Sequence, residues 1–148
     1  MRFPYRRYHV QETSARPQLV TIYRPVIPVR VLGPRGDAFI FGLLDSGADT
    51  TVLPGFLVDR IGVDLEPQTG RFRGVGGQVV TVSFGTVDLE LHQGNESYRW
   101  PARVGFLDVR TVAVLGRAAL LEYFDVTFLG ADNAVTLERN TSPLPQLR

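Results

Sequence analysis

Short apolar runs, rich in β-branched and aromatic residues and broken about every 8–12 residues by glycine, proline or asparagine, set the pattern of this chain. The run VTIYRPVIPVRVLG at 20–33 predicts strand, with Pro25 and Pro28 marking an edge or an entry position. PRGD at 34–37 predicts a turn, and AFIFGLL at 38–44 is apolar enough for an inner strand. GFLVDRIGV at 55–63 predicts one short helix with Phe56, Leu57 and Ile61 apolar and a stop near Gly62. Residues 71–92, RFRGVGGQVVTVSFGTVDLELH, predict two strands around a glycine-rich tip and then a continuation. Within them Val87, Leu89 and Leu91 alternate with Asp88, Glu90 and His92, the period of a half-buried strand. YRWPARVGFLDV at 98–109 predicts a strand pair or one bent strand, and TVAVLG at 111–116 a buried strand. RAALLEYF at 117–124 predicts a second short helix, and DVTFLGADNAVTLE at 125–138 a closing hairpin. Many short strands with one or two short helices predict a mainly β barrel or sandwich.

The two ends break this pattern. Residues 1–18 are polar, aromatic and rich in arginine, and predict a flexible arm; residues 139–148 predict a tail without structure. Residues 19–138 are then one domain, within the 148 residues that a single core can organise.

Composition narrows the chemistry. The chain has no cysteine and no lysine, since its 16 basic residues are all arginine. Thiolate catalysis, Cys-based zinc sites and lysine Schiff bases are excluded. His9 and His92 lie in no ligand pattern, so no metal and no cofactor is expected. The net charge is +1, and no apolar run reaches the roughly 18 residues that span a bilayer. Neither nucleic acid nor membrane is an expected partner, and the expected compartment is the cytoplasm. The four arginines of the N-terminal arm are the one feature that favours nucleic acid, and salt-dependent retention on DNA would reveal it.

Three stretches carry the functional signal. LLDSGAD at 43–49 runs an apolar strand into a carboxylate, Asp45. RGVGGQ at 73–78 is glycine-rich between strand-like flanks, and VLGR at 114–117 leads from an apolar strand toward the second expected helix. In this order they resemble the retropepsin-like aspartic proteases, across residues 26 to about 129. The resemblance implies a closed acid-protease barrel of the retropepsin type and a peptide or protein substrate. It implies Asp45 as the catalytic residue, with Ser46 bonding across a dimer axis, Gly47 allowing close backbone approach and an unusual φ, and Asp49 paired with Arg117. Ala48 and Asp49 then line the substrate groove, and Gly74, Val75, Gly76 and Gly77 form a flap that closes on the peptide.

Acid–base chemistry agrees with this. Water attacks an amide most simply when one group takes its proton and another protonates the carbonyl oxygen. Two carboxylates sharing one proton do both. The chain offers one Asp-Ser-Gly: Asp125 and Asp108 lack the following Ser/Thr-Gly, and Asp88 lies on an alternating strand. The second carboxylate is therefore expected from a second copy of the chain, across a two-fold axis. A serine-hydrolase reading of Ser46 lacks the G-x-S-x-G elbow, and GVGG lacks the spacing of a dinucleotide loop. The alternative that survives is a non-catalytic dimer of the same fold acting as a peptide-binding or scaffolding module. The resemblance is incomplete at both ends. Viral members end soon after the helix and interleave their termini, whereas this chain continues through the hairpin from Asp125.

Overall fold

The computed structural model describes residues 1–13, 16–73, 77–107 and 112–141, with main chain alone at 12–13 and 16–19. Strands follow one another almost without interruption: β1 (Arg2–Pro4), β2 (Arg6–Thr13), β3 (Arg16–Arg24), β4 (Val26–Gly33), β5 (Gly36–Leu44) and β6 (Val52–Pro54). The helix α1 (Phe56–Ile61) precedes β7 (Leu65–Arg73), β8 (Val79–Gln93), β9 (Glu96–Leu107) and β10 (Ala113–Leu115). The described fold ends with β11 (Phe124–Leu129), a 3₁₀ turn at Gly130–Asp132, and β12 (Ala134–Arg139).

Strands β4, β5, β10, β6, β9 and β8 are neighbours in that order, and β4 pairs again with β8, so six strands close a barrel. Closure satisfies the ladder groups of those strands within the ring. β7 adds to the outside of β8, antiparallel, with Arg71 opposite Thr81 and Arg73 opposite Val79. Two pairings are parallel, β5 with β10 and β6 with β9. They join strands far apart in sequence, and both converge on the end of β5.

Alternation builds the core. Ile27, Val29 and Val31 of β4 and Leu89 and Leu91 of β8 are fully buried, while the intervening positions face outward. Leu57 and Ile61 of α1 close one end of the barrel, and Gly62 caps the helix at φ 72, a conformation that glycine adopts at least cost. Each fully buried aliphatic side chain contributes on the order of 1.5–3 kcal/mol. The core runs on through Trp100 and Phe124, whose rings meet edge-to-face at 5.0 Å, into the three-stranded sheet β1-β12-β11.

Four expectations need correction. Residues 1–18, expected as a flexible arm, carry strand instead. β1 lies antiparallel on β12 with Phe3 buried, and β2 forms a ribbon with β3 from Arg6↔Arg24 outward. Ladder bonds need no apolar alternation, so this order leaves little trace in the pattern. Residues 117–123, expected with Phe124 as a second helix, are turns, and Phe124 opens β11. The Arg117 and Ala118 N–H groups bond the Ala48 and Asp49 carbonyls at 2.8 and 3.0 Å, and Ala119 has φ 78, so the helical ladder cannot propagate. β5 is an inner strand by position but is open on one face, where Phe39 and Phe41 are exposed. Phe56 is also exposed, so α1 buries a narrower face than expected. The expected tail from 142 on, and the flap tip Gly74, Val75 and Gly76, lie outside the described residues.

Candidate active site

Asp45 is the first residue past β5. Its N–H bonds the Leu115 carbonyl at 3.1 Å, so the β5–β10 ladder continues one residue beyond the strand. The chain then turns sharply. The Ala48 N–H bonds the Asp45 carbonyl at 3.2 Å, and the Gly47 N–H donates to Asp45 Oδ1 at 2.9 Å. An aspartate that accepts from the residue two positions on stabilises its own turn. The same bond fixes the carboxylate's orientation, while Oδ2 has no hydrogen-bond partner among the described residues. Asp45 is half-buried, Ser46, Gly47 and Asp49 are exposed, and Ala48 is half-buried.

The loop is held from below by Thr51. This residue is fully buried. Its hydroxyl donates to the Ala118 carbonyl at 2.8 Å and accepts from the Gly116 N–H at 3.0 Å. Its main chain bonds Ala118 and Gly105, at 3.2 and 2.9 Å. Gly116 passes so close that a Cβ there would lie 2.6 Å from the Ala48 and Thr50 carbonyl oxygens. The glycine of VLGR is therefore required by backbone contact. Thr51, in contrast, carries no sequence signal that separates it from an ordinary loop threonine.

Above this floor lies a groove of about 440 Å³. It is lined by Asp45, Gly47, Ala48, Asp49 and Thr50 of the loop after β5 and by Arg71, Phe72 and Arg73 of β7. Leu107, Val112 and Val114 add apolar surface. Phe72 is braced edge-to-face on Phe84, with ring centroids 6.1 Å apart. The Arg103 guanidinium lies 4.0 Å over the Phe84 ring and bonds both carboxylate oxygens of Glu66 at 2.7 Å, tying β9 to β7 across β8. That contact holds the Glu66 carboxyl below its ordinary range.

The structure thus brings Asp45, Gly47, Ala48 and Asp49 to one groove. Arg117 is exposed outside that lining and forms no side-chain ion pair with Asp49; the two segments are joined by main-chain bonds. The expected fork between them is absent because the Arg117 backbone is committed to the loop while its side chain is not. Gly47 is not among the glycines with positive φ; its role is close approach, since a Cβ would sit 3.2 Å from Asp45 Oδ1. Gly77 does have positive φ, 82, where the chain enters β8. Ser46 forms no hydrogen bond among the described residues. Trp100, expected in the core or at a subsite wall, is core: its Nε1 donates to the Ala119 carbonyl at 2.7 Å. Among the described residues no three acidic or histidine side chains converge as metal ligands, and no helix is long and apolar enough to cross a membrane.

No protein-family model and no curated protein matches the chain. Among solved structures it is similar to an EIAV protease complexed with the inhibitor HBY-793, at 27% identity and a TM-score of 0.46, over 64% of this chain and 82% of that one.

Proposed function

We propose that the chain is an aspartic endopeptidase that acts as a homodimer, with Asp45 of each copy facing the other across a two-fold axis. The observation that carries this reading is Asp45 itself. It stands half-buried at the end of a barrel strand, oriented by the Gly47 N–H, and opens on a groove of about 440 Å³ lined by both polar and apolar residues. A solvated turn aspartate needs neither the buried threonine beneath it nor the glycine packed against its loop.

In this reading one Asp45 is ionised and its twin protonated, because like charges in contact split their titration. The ionised carboxylate takes a proton from water as the water oxygen bonds the amide carbon. The protonated one gives its proton to the carbonyl oxygen. Collapse of the tetrahedral diol then breaks the C–N bond as the amine nitrogen receives a proton from the pair. Ser46, exposed and unbonded in one chain, has its partner across the axis. Ala48, Asp49 and the hairpin residues Gly74, Val75, Gly76 and Gly77 contact the peptide backbone, and hairpin closure excludes bulk water. Arg117 supports the loop through its main chain.

The test is Asp45→Asn. Peptide cleavage falls by about 10²–10⁴-fold or more, the scale of a lost acid–base group, while the dimer mass in sedimentation and the thermal midpoint stay close to wild type. Undiminished cleavage by the variant sinks the proposal. A wild-type dimer that binds peptides but cleaves none from acidic to neutral pH leaves the scaffolding reading instead.

A further inference from the structure

We infer that Arg71 and Arg73 select peptides that carry an acidic side chain close to the scissile bond, an inference that rests on the groove being a peptide site. Residues two apart on a strand share a face, and both arginines line the groove from β7, as Asp45 and Asp49 do from the loop after β5. Both are exposed.

Their surroundings set them apart from the other arginines of the barrel wall. Arg30 bonds Asp37 and Glu90, Arg99 bonds Asp88, and Arg103 bonds Glu66. Arg71 and Arg73 have no carboxylate within ion-pair distance among the described residues, although Asp45 and Asp49 line the same groove. Two guanidiniums with no hydrogen-bond partner among the described residues, in a groove whose surface is mainly apolar, match a carboxylate brought in by a ligand. A guanidinium presents a rigid fork of N–H donors to which a carboxylate binds in bidentate fashion. The partly enclosed setting strengthens that pairing relative to open solvent. Leu107, Val112 and Val114 offer apolar surface to the rest of the same peptide. The occupant is therefore a peptide with Asp or Glu next to an apolar residue.

A peptide library in which each position flanking the cleaved bond carries Glu, Gln or Arg tests this, read as ratios of kcat/KM. Wild type favours Glu over Gln by about tenfold at one position or more, and the ratio shrinks as salt rises. Arg71→Gln with Arg73→Gln brings the ratio to one, and the double change to Glu inverts it toward Arg peptides. Were the arginines counterions of Asp45 instead, the double Gln variant would shift the pH profile equally for all peptides and leave the ratio intact, which overturns the inference. A wild-type ratio near one overturns it as well.

The same peptides titrated onto the Asp45→Asn protein separate the two readings. Acidic preference in binding, with no turnover by wild type, keeps the selectivity and removes the peptidase. Turnover without preference does the reverse. Neither binding nor turnover across the library removes both.

Discussion

The floor and the wall of the groove are built in opposite ways. The floor, residues 45–51, is bonded to β10 and to residues 116–118 by main chain, by the buried Thr51 hydroxyl and by the close passage of Gly116. The wall, β7, is bonded only to β8 within its sheet and stands outside the closed ring. Every floor contact is with an atom that cannot move without the barrel moving. The wall is held along one edge and by side chains, notably Phe72 on Phe84 and Glu66 on Arg103. A groove divided like this keeps the geometry of the Asp45 carboxylate on the ring. Its β7 residues stand on a strand whose outward residues can change at small cost.

Gly116→Ala breaks the floor most directly. Its Cβ meets two carbonyl oxygens at 2.6 Å, backbone atoms that cannot rotate away. The expected loss is about 3 kcal/mol or more of folding stability, read in urea denaturation, and groove function falls with it. Thr51→Val comes next. It keeps shape but leaves the Gly116 N–H and the Ala118 carbonyl short of a partner, at a cost of about 1–3 kcal/mol; Thr51→Ser restores most of that loss. A Thr51→Val protein as stable as wild type would show that the floor is not held in this way. Glu66→Gln on the wall has the smallest effect, and its sign depends on pH. Arg103 lowers the Glu66 carboxyl in the folded chain, so its stabilisation is present above the unfolded carboxylate pKa and is lost as pH falls through the folded one. Wild type and variant therefore differ in thermal midpoint at neutral pH and converge in acid. A difference that grows on acidification contradicts the assignment.

Much of this was legible in the sequence because alternation and turn residues report burial directly. Val87, Leu89 and Leu91 of β8 face inward, α1 ends at Gly62, and residues 125–138 form the hairpin β11–β12. The position of Asp45 at the end of a strand was legible because the apolar run 38–44 stops there. The illegible parts are those decided by distant backbone. Arg117, Ala118, Ala119, Leu120 and Leu121 favour helix locally, yet the Arg117 and Ala118 N–H groups go to the Ala48 and Asp49 carbonyls. The β2–β3 ribbon is held by main-chain pairing, and its β2 half, RRYHVQET, shows no hydrophobic period that announces a strand. Thr51 looks like its neighbour Thr50, and only the packed fold distinguishes the buried one. The wall arginines read as ordinary surface charge until the carboxylates paired with the other barrel arginines are placed.

The parallel pairing of β5 with β10 also has a meaning in time. Gly42, Leu43 and Leu44 cannot find Ala113, Val114 and Leu115 until nearly all of the intervening chain exists and has folded back. Asp45 therefore emerges from synthesis early and stays an ordinary solvated aspartate, because the strand that orients its loop is among the last of the ring to be made. The turn that orients its carboxylate is therefore absent from any chain in which β10 has not yet reached β5. The barrel's long-range topology thus ties the local geometry of Asp45 to a completed ring.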